Sequence, residues 1–364
     1  MNIFMLHSLV PGVRFYRLTA PAKFLSADLK HNILLEDTSN EGLASSDWQG
    51  RAMEDGFHNL LEHMLKEVDV LVTQLVHTPG ALAVLEGVRE FYELPVILDL
   101  DDDVENVPYY NQGGACYKPD TEVSEIIRNL MRTVNAVTVS TPYLKERMGQ
   151  YNKNTYVLPN SIDFDLWDKP ADKLKTSKAI RIGWAGAQTH EDDFKMIVPA
   201  IKEILRKYKS LVHFYFVGGV PECVKALDDR RISYQNNWHD ILKYPAFLKR
   251  ENWDIGIAPL RDNMFNRAKS NLRWLEYSAM GIPTVAGNVE PMRRSIAHGR
   301  TGLLAYEPEE WVEHLSALIE DEELRKTMGK AANDKVRRDY NMKKNARLWA
   351  EVYRKVLDEE KVAI

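Results

Sequence analysis

The sequence predicts an α/β protein built on parallel sheets with helices on both faces. Three observations predict it. Short apolar runs alternate with amphipathic stretches along the chain, the rhythm of strand–helix–strand units. The apolar runs are continuous rather than alternating, as in strands covered on both faces. The chain has 364 residues, more than a single core usually serves, so two such units are expected.

The first series of strands reads at Ile3–Leu6, Ile33–Leu35, Val68–Thr73, Val96–Leu100, Ala136–Ser140 and Tyr156–Leu158. Helices fall between them, for example Gly56–Glu67 and Ala81–Tyr92. A second series reads at Ile180–Ala185, Val212–Val217, Ile232–Tyr234, Trp253–Ala258, Pro283–Ala286 and Gly302–Leu304. In Asp192–Tyr208 the residues Phe194, Ile197, Val198, Ile201, Ile204, Leu205 and Tyr208 repeat at helical spacing. Pro199 should kink that helix or mark a late start. Asp163–Ser177 holds Lys169-Pro170, several lysines and few apolar residues, and reads as a linker. Asn341–Glu360 reads as an amphipathic helix with Ala346, Trp349, Tyr353, Val356 and Leu357 on one face.

Composition narrows the function class. Hydrophobic residues make up 45% and charged residues 28%, which excludes a disordered or collagen-like chain. The net charge of −5 builds in no strong pull toward nucleic-acid phosphates or anionic lipid. Cys116 and Cys223 form no CxxC pair, so structural zinc and a disulfide framework are not expected and a reducing cytoplasm is. Met1–His7 lacks the basic and long apolar stretches of a secretory leader. No apolar run approaches the roughly 18 residues of a spanning helix. Peripheral membrane contact stays open.

In open α/β sheets ligands bind beyond the carboxyl ends of the strands, so chemistry is expected in the loops there. In Ile180-Arg-Ile-Gly-Trp-Ala-Gly-Ala-Gln-Thr-His190 an apolar strand runs into Gly186 and then an acid-rich helix start. Glycine admits a ligand to the backbone, and a helix N-terminus offers N–H groups to a phosphate. Thr189 is a candidate cap and His190 a candidate anion donor; a plain strand–helix turn is the alternative. In Lys269–Pro283, Lys269 and Ser270 read as a helix start suited to a diphosphate, with Arg273 one turn on and Glu276 nearly two. Glu276 could take both hydroxyls of a ribose; a surface Arg273/Glu276 pair is the alternative.

Two further groups belong to the first half. In Val96-Ile-Leu-Asp-Leu-Asp-Asp-Asp-Val104, carboxylates crowd the end of a buried strand. Such a cluster can bind a divalent metal, act as a base, pair with a cation or cap the next turn. In Ser8-Leu-Val-Pro-Gly-Val-Arg-Phe-Tyr-Arg17, Pro11-Gly12 reads as a turn, with Gly12, Arg14, Tyr16 and Arg17 in a loop that touches substrate or is a solvated turn with an anchoring aromatic. His77, at the end of the third strand, is a candidate for the same region.

Together these residues resemble the GT-B glycosyltransferases, in particular family 4, the "group 1" enzymes. The resemblance rests on Tyr156-Val-Leu-Pro-Asn-Ser-Ile-Asp163, Ile182-Gly-Trp-Ala-Gly186, Val217-Gly-Gly219, Asp254-Ile-Gly-Ile-Ala-Pro-Leu260 and Lys269–Pro283. The stretch Leu98–Asp103 resembles a variant seen in some bacterial and phage-type members. The resemblance covers nearly the whole chain. It implies two Rossmann-like domains facing a cleft: an acceptor-side domain over 1–165, a nucleotide-sugar domain over 166–340, and a terminal helix over 341–364 crossing back to the first.

It further implies that Gly186, Thr189, His190, Lys269 and Ser270 meet a diphosphate and that Glu276 takes the ribose. Trp238 and Tyr244, with Pro245, would shape the nucleobase pocket. Gly12, Arg14, Tyr16, His77 and Asp101 would lie on the acceptor side, with Asp101 and His77 the catalytic candidates. The family signature has two glutamates eight positions apart; the second matches Glu276, and the first falls at Ala268. The implied activity is transfer of a sugar from a nucleoside diphosphate to a glycan, lipid-linked sugar or small molecule, with retention of configuration, no cofactor and no metal. Alternatives are an enzyme acting on nucleic acid, a sugar-phosphate epimerase of the same architecture, and an inactive nucleotide-sugar-binding protein.

Overall fold

A computed structural model describes residues 1–6, 11–35, 66–74, 79–109, 111, 121–172, 179–235 and 240–363. Helix Gly56–Glu67, Cys116, His77 and Trp238 lie largely or wholly outside them. The chain forms two compact units. One comprises 1–107, 114–160 and 342–364; the other comprises 108–113 and 161–341.

The first unit carries strands β1 (Asn2–Leu6), β2 (Asn32–Leu35), β3 (Val70–Gln74), β4 (Val96–Leu100), β5 (Ala136–Val139) and β6 (Thr155–Val157). They pair in parallel in the order β2-β1-β3-β4-β5-β6. β3 and β4 are buried throughout, which is why their sequences are apolar without alternation. The order reverses at β1, so the crevice beyond the carboxyl ends of β1 and β3 is this sheet's switch point. The terminal helix, Met342–Ala363, belongs to this unit. It buries Ala346, Trp349, Tyr353 and Val356, leaves Leu357 partly exposed, and packs on helix Ala20–Ala27.

The second unit carries β7 (Ile180–Gly186), β8 (Val212–Gly218), β9 (Ile232–Gln235), β10 (Ile255–Ala258), β11 (Thr284–Gly287) and β12 (Leu303–Ala305). Their order is β12-β11-β10-β7-β8-β9, all parallel, with the reversal between β7 and β10. Phe194 meets Trp184 and Phe216 edge-on in its core, and Trp184 and Phe216 are tilted to each other, with centroids 4.9–6.1 Å apart.

Two expectations need correcting. The stretch read as a linker begins with a short helix, Phe164–Trp167, capped by Asp163. Phe164, Leu166 and Trp167 are buried, so these three apolar side chains outweigh the polar composition around them. Pro199 does not mark a late start of its helix, which runs from Glu191 to Tyr208. Pro199 and Lys195, whose carbonyl loses its donor, both face solvent, while Phe194, Ile197, Ala200, Ile201, Ile204 and Leu205 hold the buried face.

Candidate donor and acceptor sites

The helix that carries Glu276 is short, Leu272–Ala279, and almost wholly buried. Its rotation is set by Tyr277. Gly256 on β10 leaves room for that ring, since a Cβ there would stand 2.4 Å from Tyr277 Cδ2. The Ala185 N–H of β7 donates to Tyr277 Oη at 3.1 Å. Trp274 Nε1 donates to the Thr301 carbonyl at 2.8 Å. Held this way, the helix buries Glu276 to 1% exposure.

A buried carboxylate is costly unless paired. Arg273 Nη1 donates to Glu276 Oε2 at 2.7 Å, and Tyr244 Oη lies 3.5 Å from the same oxygen. Burial works against the Arg273 charge, but Glu276, with Tyr244 and Tyr277, raises the guanidinium pKa. Burial, then Glu276, push the Tyr244 phenol well up. Tyr244 in turn meets Trp167 edge-on, centroids 6.3 Å apart. Tyr244 and Glu276, 32 positions apart, are therefore brought together. The surface-helix alternative is overturned: the Arg273–Glu276 pair exists, but its carboxylate is inside.

Lys269 and Ser270 do not start that helix. Lys269 ends a separate short helix, Met264–Ala268, which Asn263 caps, and Asn271 is the N-cap of Leu272–Ala279. Lys269 Nζ sits 4.3 Å above the Phe265 ring and, like Ser270, is partly exposed. Ala268, at the position of the missing glutamate, is fully buried.

At the end of β7, Gly186 packs under Trp184, where a Cβ would meet the indole at 2.3 Å. Gly218 has φ +93° and lies against the Gly186 carbonyl, and Gly219 N–H donates to that carbonyl at 2.8 Å. These glycines are needed for backbone approach between β7 and β8. Thr189 and His190 form a 3-10 turn, Gln188–His190. Thr189 is not the cap of the next helix; His190 holds that position without a side-chain capping bond. His190 Nδ1 lies 2.8 Å from Asp193 Oδ2 instead.

In the first unit, Pro11–Arg14 is helical and leads into a π-helical turn, Phe15–Thr19. Gly12 is thus not in an open turn, and a Cβ there would meet nothing within 4 Å. Tyr16 is buried to 1% and stands edge-on to Phe15, so it anchors the segment rather than facing a ligand. Arg14 is partly exposed.

The next residue, Arg17, is fully buried. It grips Asp99 with two bonds, Nε to Oδ1 at 3.0 Å and Nη2 to Oδ2 at 2.7 Å. Its Nη1 donates to the Leu158 carbonyl and to Asn160 Oδ1. Thr138 donates to Asp99 Oδ2 at 2.7 Å, and the Trp349 ring lies 5.8 Å from the guanidinium carbon. Asn160 then donates from Nδ2 to Asp101 Oδ1 at 3.1 Å. Burial raises the Asp101 pKa, Arg17 opposes this, and Asp102 and Asp99 add to it. Asp103 is occupied in the turn: it accepts from the Glu105 N–H and from Asn106 Nδ2. Among the described residues no three His, Cys, Asp or Glu side chains gather as a metal site.

Sequence reasoning missed the Arg17–Asp99 pair, Asn160, Asp193 and Trp167. A signal for the first was present: Asp99 interrupts an apolar strand and so requires a buried partner.

Residues 179–321 match the family described as "Glycosyl transferases group 1". A 60-residue stretch is 42% identical to the D-inositol 3-phosphate glycosyltransferase of Paenarthrobacter aurescens (strain TC1), covering 16% of this chain and 15% of that protein. Solved structures align over nearly the whole chain. The Anabaena protein Alr3699/HepE, in complex with UDP and glucose, aligns with TM-score 0.66 and 16% identity over 96% of this chain and 98% of its own. Sucrose-phosphate synthase from Thermosynechococcus elongatus aligns with TM-score 0.70 and 13% identity over 99% and 100%. A glycosyltransferase from Rickettsia africae gives 0.69 and 15% over 98% of both chains. At these identities the structural likeness is one of fold. The chain has the GT-B fold, and its residues 179–321 match the group 1 glycosyltransferase family.

Proposed function

We propose that this protein transfers a sugar from a nucleoside-diphosphate sugar to a hydroxyl acceptor. The observation that carries the reading is the arrangement inside the matched domain. Lys269 and Ser270 precede a helix whose buried Glu276 is held by Arg273 beside Tyr244. A cation and a hydroxyl suit departing phosphates, and a fixed carboxylate suits a ribose. Gly186, Thr189 and His190 lie at the carboxyl end of β7, at the switch point. The Anabaena protein Alr3699/HepE has been solved in complex with UDP and with UDP-glucose, which agrees with a nucleotide-sugar donor here.

The leaving group is a nucleoside diphosphate, and the transition state develops charge on its phosphates. Lys269 is the residue assigned to that charge, and the reaction proceeds without a metal. Acceptor orientation is assigned to the first unit, with Asp101 the group that orients or deprotonates the hydroxyl. Its raised pKa, dominated by burial, suits proton exchange better than an ordinary carboxyl would. Configuration is retained, and the acceptor is a glycan, lipid-linked sugar or small molecule.

A thermal-shift screen against UDP, GDP, ADP and dTDP sugars, followed by donor turnover, tests the reading. Stabilisation by at least one donor and its turnover with an acceptor are expected. Binding without turnover under any acceptor would favour an inactive binding protein, the reading that Ala268 motivates.

A further inference from the structure

The loops beyond the carboxyl ends of β7 and β10 meet on one carboxylate. Asp193 lies in the first turn of helix Glu191–Tyr208 and is 3% exposed. Its Oδ2 lies 2.8 Å from His190 Nδ1. Its Oδ1 accepts from the Arg261 backbone N–H at 2.7 Å and from Asn266 Nδ2 at 2.8 Å. Asn266 is fixed independently: its amide also donates to the Arg261 carbonyl, and its N–H donates to Asn263 Oδ1. Three donors thus converge on two oxygens.

An ionised carboxylate only accepts, so the proton of this His190 bond sits on Nδ1. That leaves Nε2 for other partners. It has none among the described residues, and the ring stands edge-on to Trp184 at 5.7 Å. We propose that Asp193 is a positioning residue: one oxygen fixes His190 with its proton on Nδ1 and Nε2 outward, and the other ties that ring to the segment leading into Lys269 and Ser270. The proposal rests on the donor-site reading above for its ligand, a diphosphate oxygen. When such an oxygen meets Nε2, the ring donates after taking a second proton from solvent, and the carboxylate behind it stabilises the imidazolium. A neutral side chain would serve the turn at lower desolvation cost but has a single acceptor oxygen.

The tautomer is read in the unaltered protein by long-range 1H–15N correlation, with His190 assigned as the signal lost in His190→Gln. Nδ1–H is expected. In Asp193→Asn the lone oxygen should stay with the Arg261 and Asn266 donors and turn the amide NH2 to the ring, so His190 switches to Nε2–H. Asp193→Glu keeps two oxygens and should retain Nδ1–H. Affinity is measured by calorimetry with the tightest binder among UDP, GDP, ADP and dTDP. Asp193→Asn should lose about tenfold, and no more than about twofold when His190 is already glutamine. An Nε2–H ring in the unaltered protein, or equal losses in both backgrounds, overturns the role given to Asp193. Failure of all four nucleotides to bind overturns the donor-site reading instead, and the tautomer comparison alone then decides Asp193.

Discussion

Replacing Arg17 by methionine should be the most damaging single change in the first unit. The Arg17 and Asp99 side chains are 0% and 1% exposed, and their two bonds measure 3.0 and 2.7 Å. Burial works against the Arg17 charge, but Asp99, by proximity and hydrogen bonding, keeps its pKa raised. Methionine fills much of the volume but leaves Asp99 with Thr138 as its side-chain donor, and leaves the Leu158 carbonyl and Asn160 Oδ1 without the Arg17 donor. Breaking a buried pair from one side costs about 3–5 kcal/mol. For a unit of this size that is a fall of roughly 6–20 °C in the transition it governs. Removing both charges, as Arg17→Met with Asp99→Leu, should recover much of the loss, because no unpaired charge remains. Calorimetry on the two single variants and the double variant reads the cycle. A loss below about 1 kcal/mol for Arg17→Met, or a double variant as unstable as the sum of the singles, would refute the argument from an uncompensated charge.

Four further outcomes are expected. Lys269→Ala should weaken nucleoside-diphosphate binding by about 1.5–3 kcal/mol in calorimetry, and an unchanged affinity would remove Lys269 from the site. Glu276→Gln should weaken the same binding with a small change in melting temperature, whereas Glu276→Ala should lower both, because it strands Arg273; normal binding by both would leave Glu276 a folding residue. Asp101→Asn should lower turnover with little change in nucleotide affinity, and activity should survive EDTA; abolition by EDTA and rescue by magnesium would overturn the metal-free reaction. Burial first, then Glu191, push the Cys223 thiol up to about 12. At pH 8 it then holds on the order of a thousandfold less thiolate than a free cysteine, so a Cys116→Ser protein should react sluggishly with Ellman's reagent, and rapid labelling would contradict that environment.

Much of the fold was legible because buried parallel strands advertise themselves. β4 over Val96–Leu100 matches its apolar run at both ends. The strand expected from Trp253 starts at Ile255, and Trp253 packs its ring into the space left by Gly183. What the sequence concealed was pairing at long range. Nothing local to Asp193 says that Arg261 and Asn266 will reach it, and nothing near Arg17 says that Asp99, 82 positions on, is its partner. The helix start at Leu272 was misjudged because Lys269 and Ser270 belong to a connection between two short helices. Tyr16 was misjudged because a π-helical turn faces consecutive residues Phe15–Leu18 inward, which 3.6-residue spacing does not anticipate.

The placement of the terminal helix has a consequence for the order in which the protein is made. Trp349 lies against the buried Arg17, and burial, then Asp99, raise the Tyr353 phenol pKa against the opposing charge of Arg17. Both residues come from 342–364, yet they complete a unit whose other pieces end at residue 160. The second unit, 161–341 with 108–113, has all its residues before position 342. Domains usually mature in the order in which they leave the ribosome, at about 5–20 residues per second. Here the order is inverted: residues 161–364 must be made after the first unit's internal piece ends at Asn160, 204 residues, which takes roughly 10–40 s. During that interval the Arg17–Asp99 pair lacks its aromatic cover, and the nascent first unit is the natural client of any chaperone waiting at the tunnel exit.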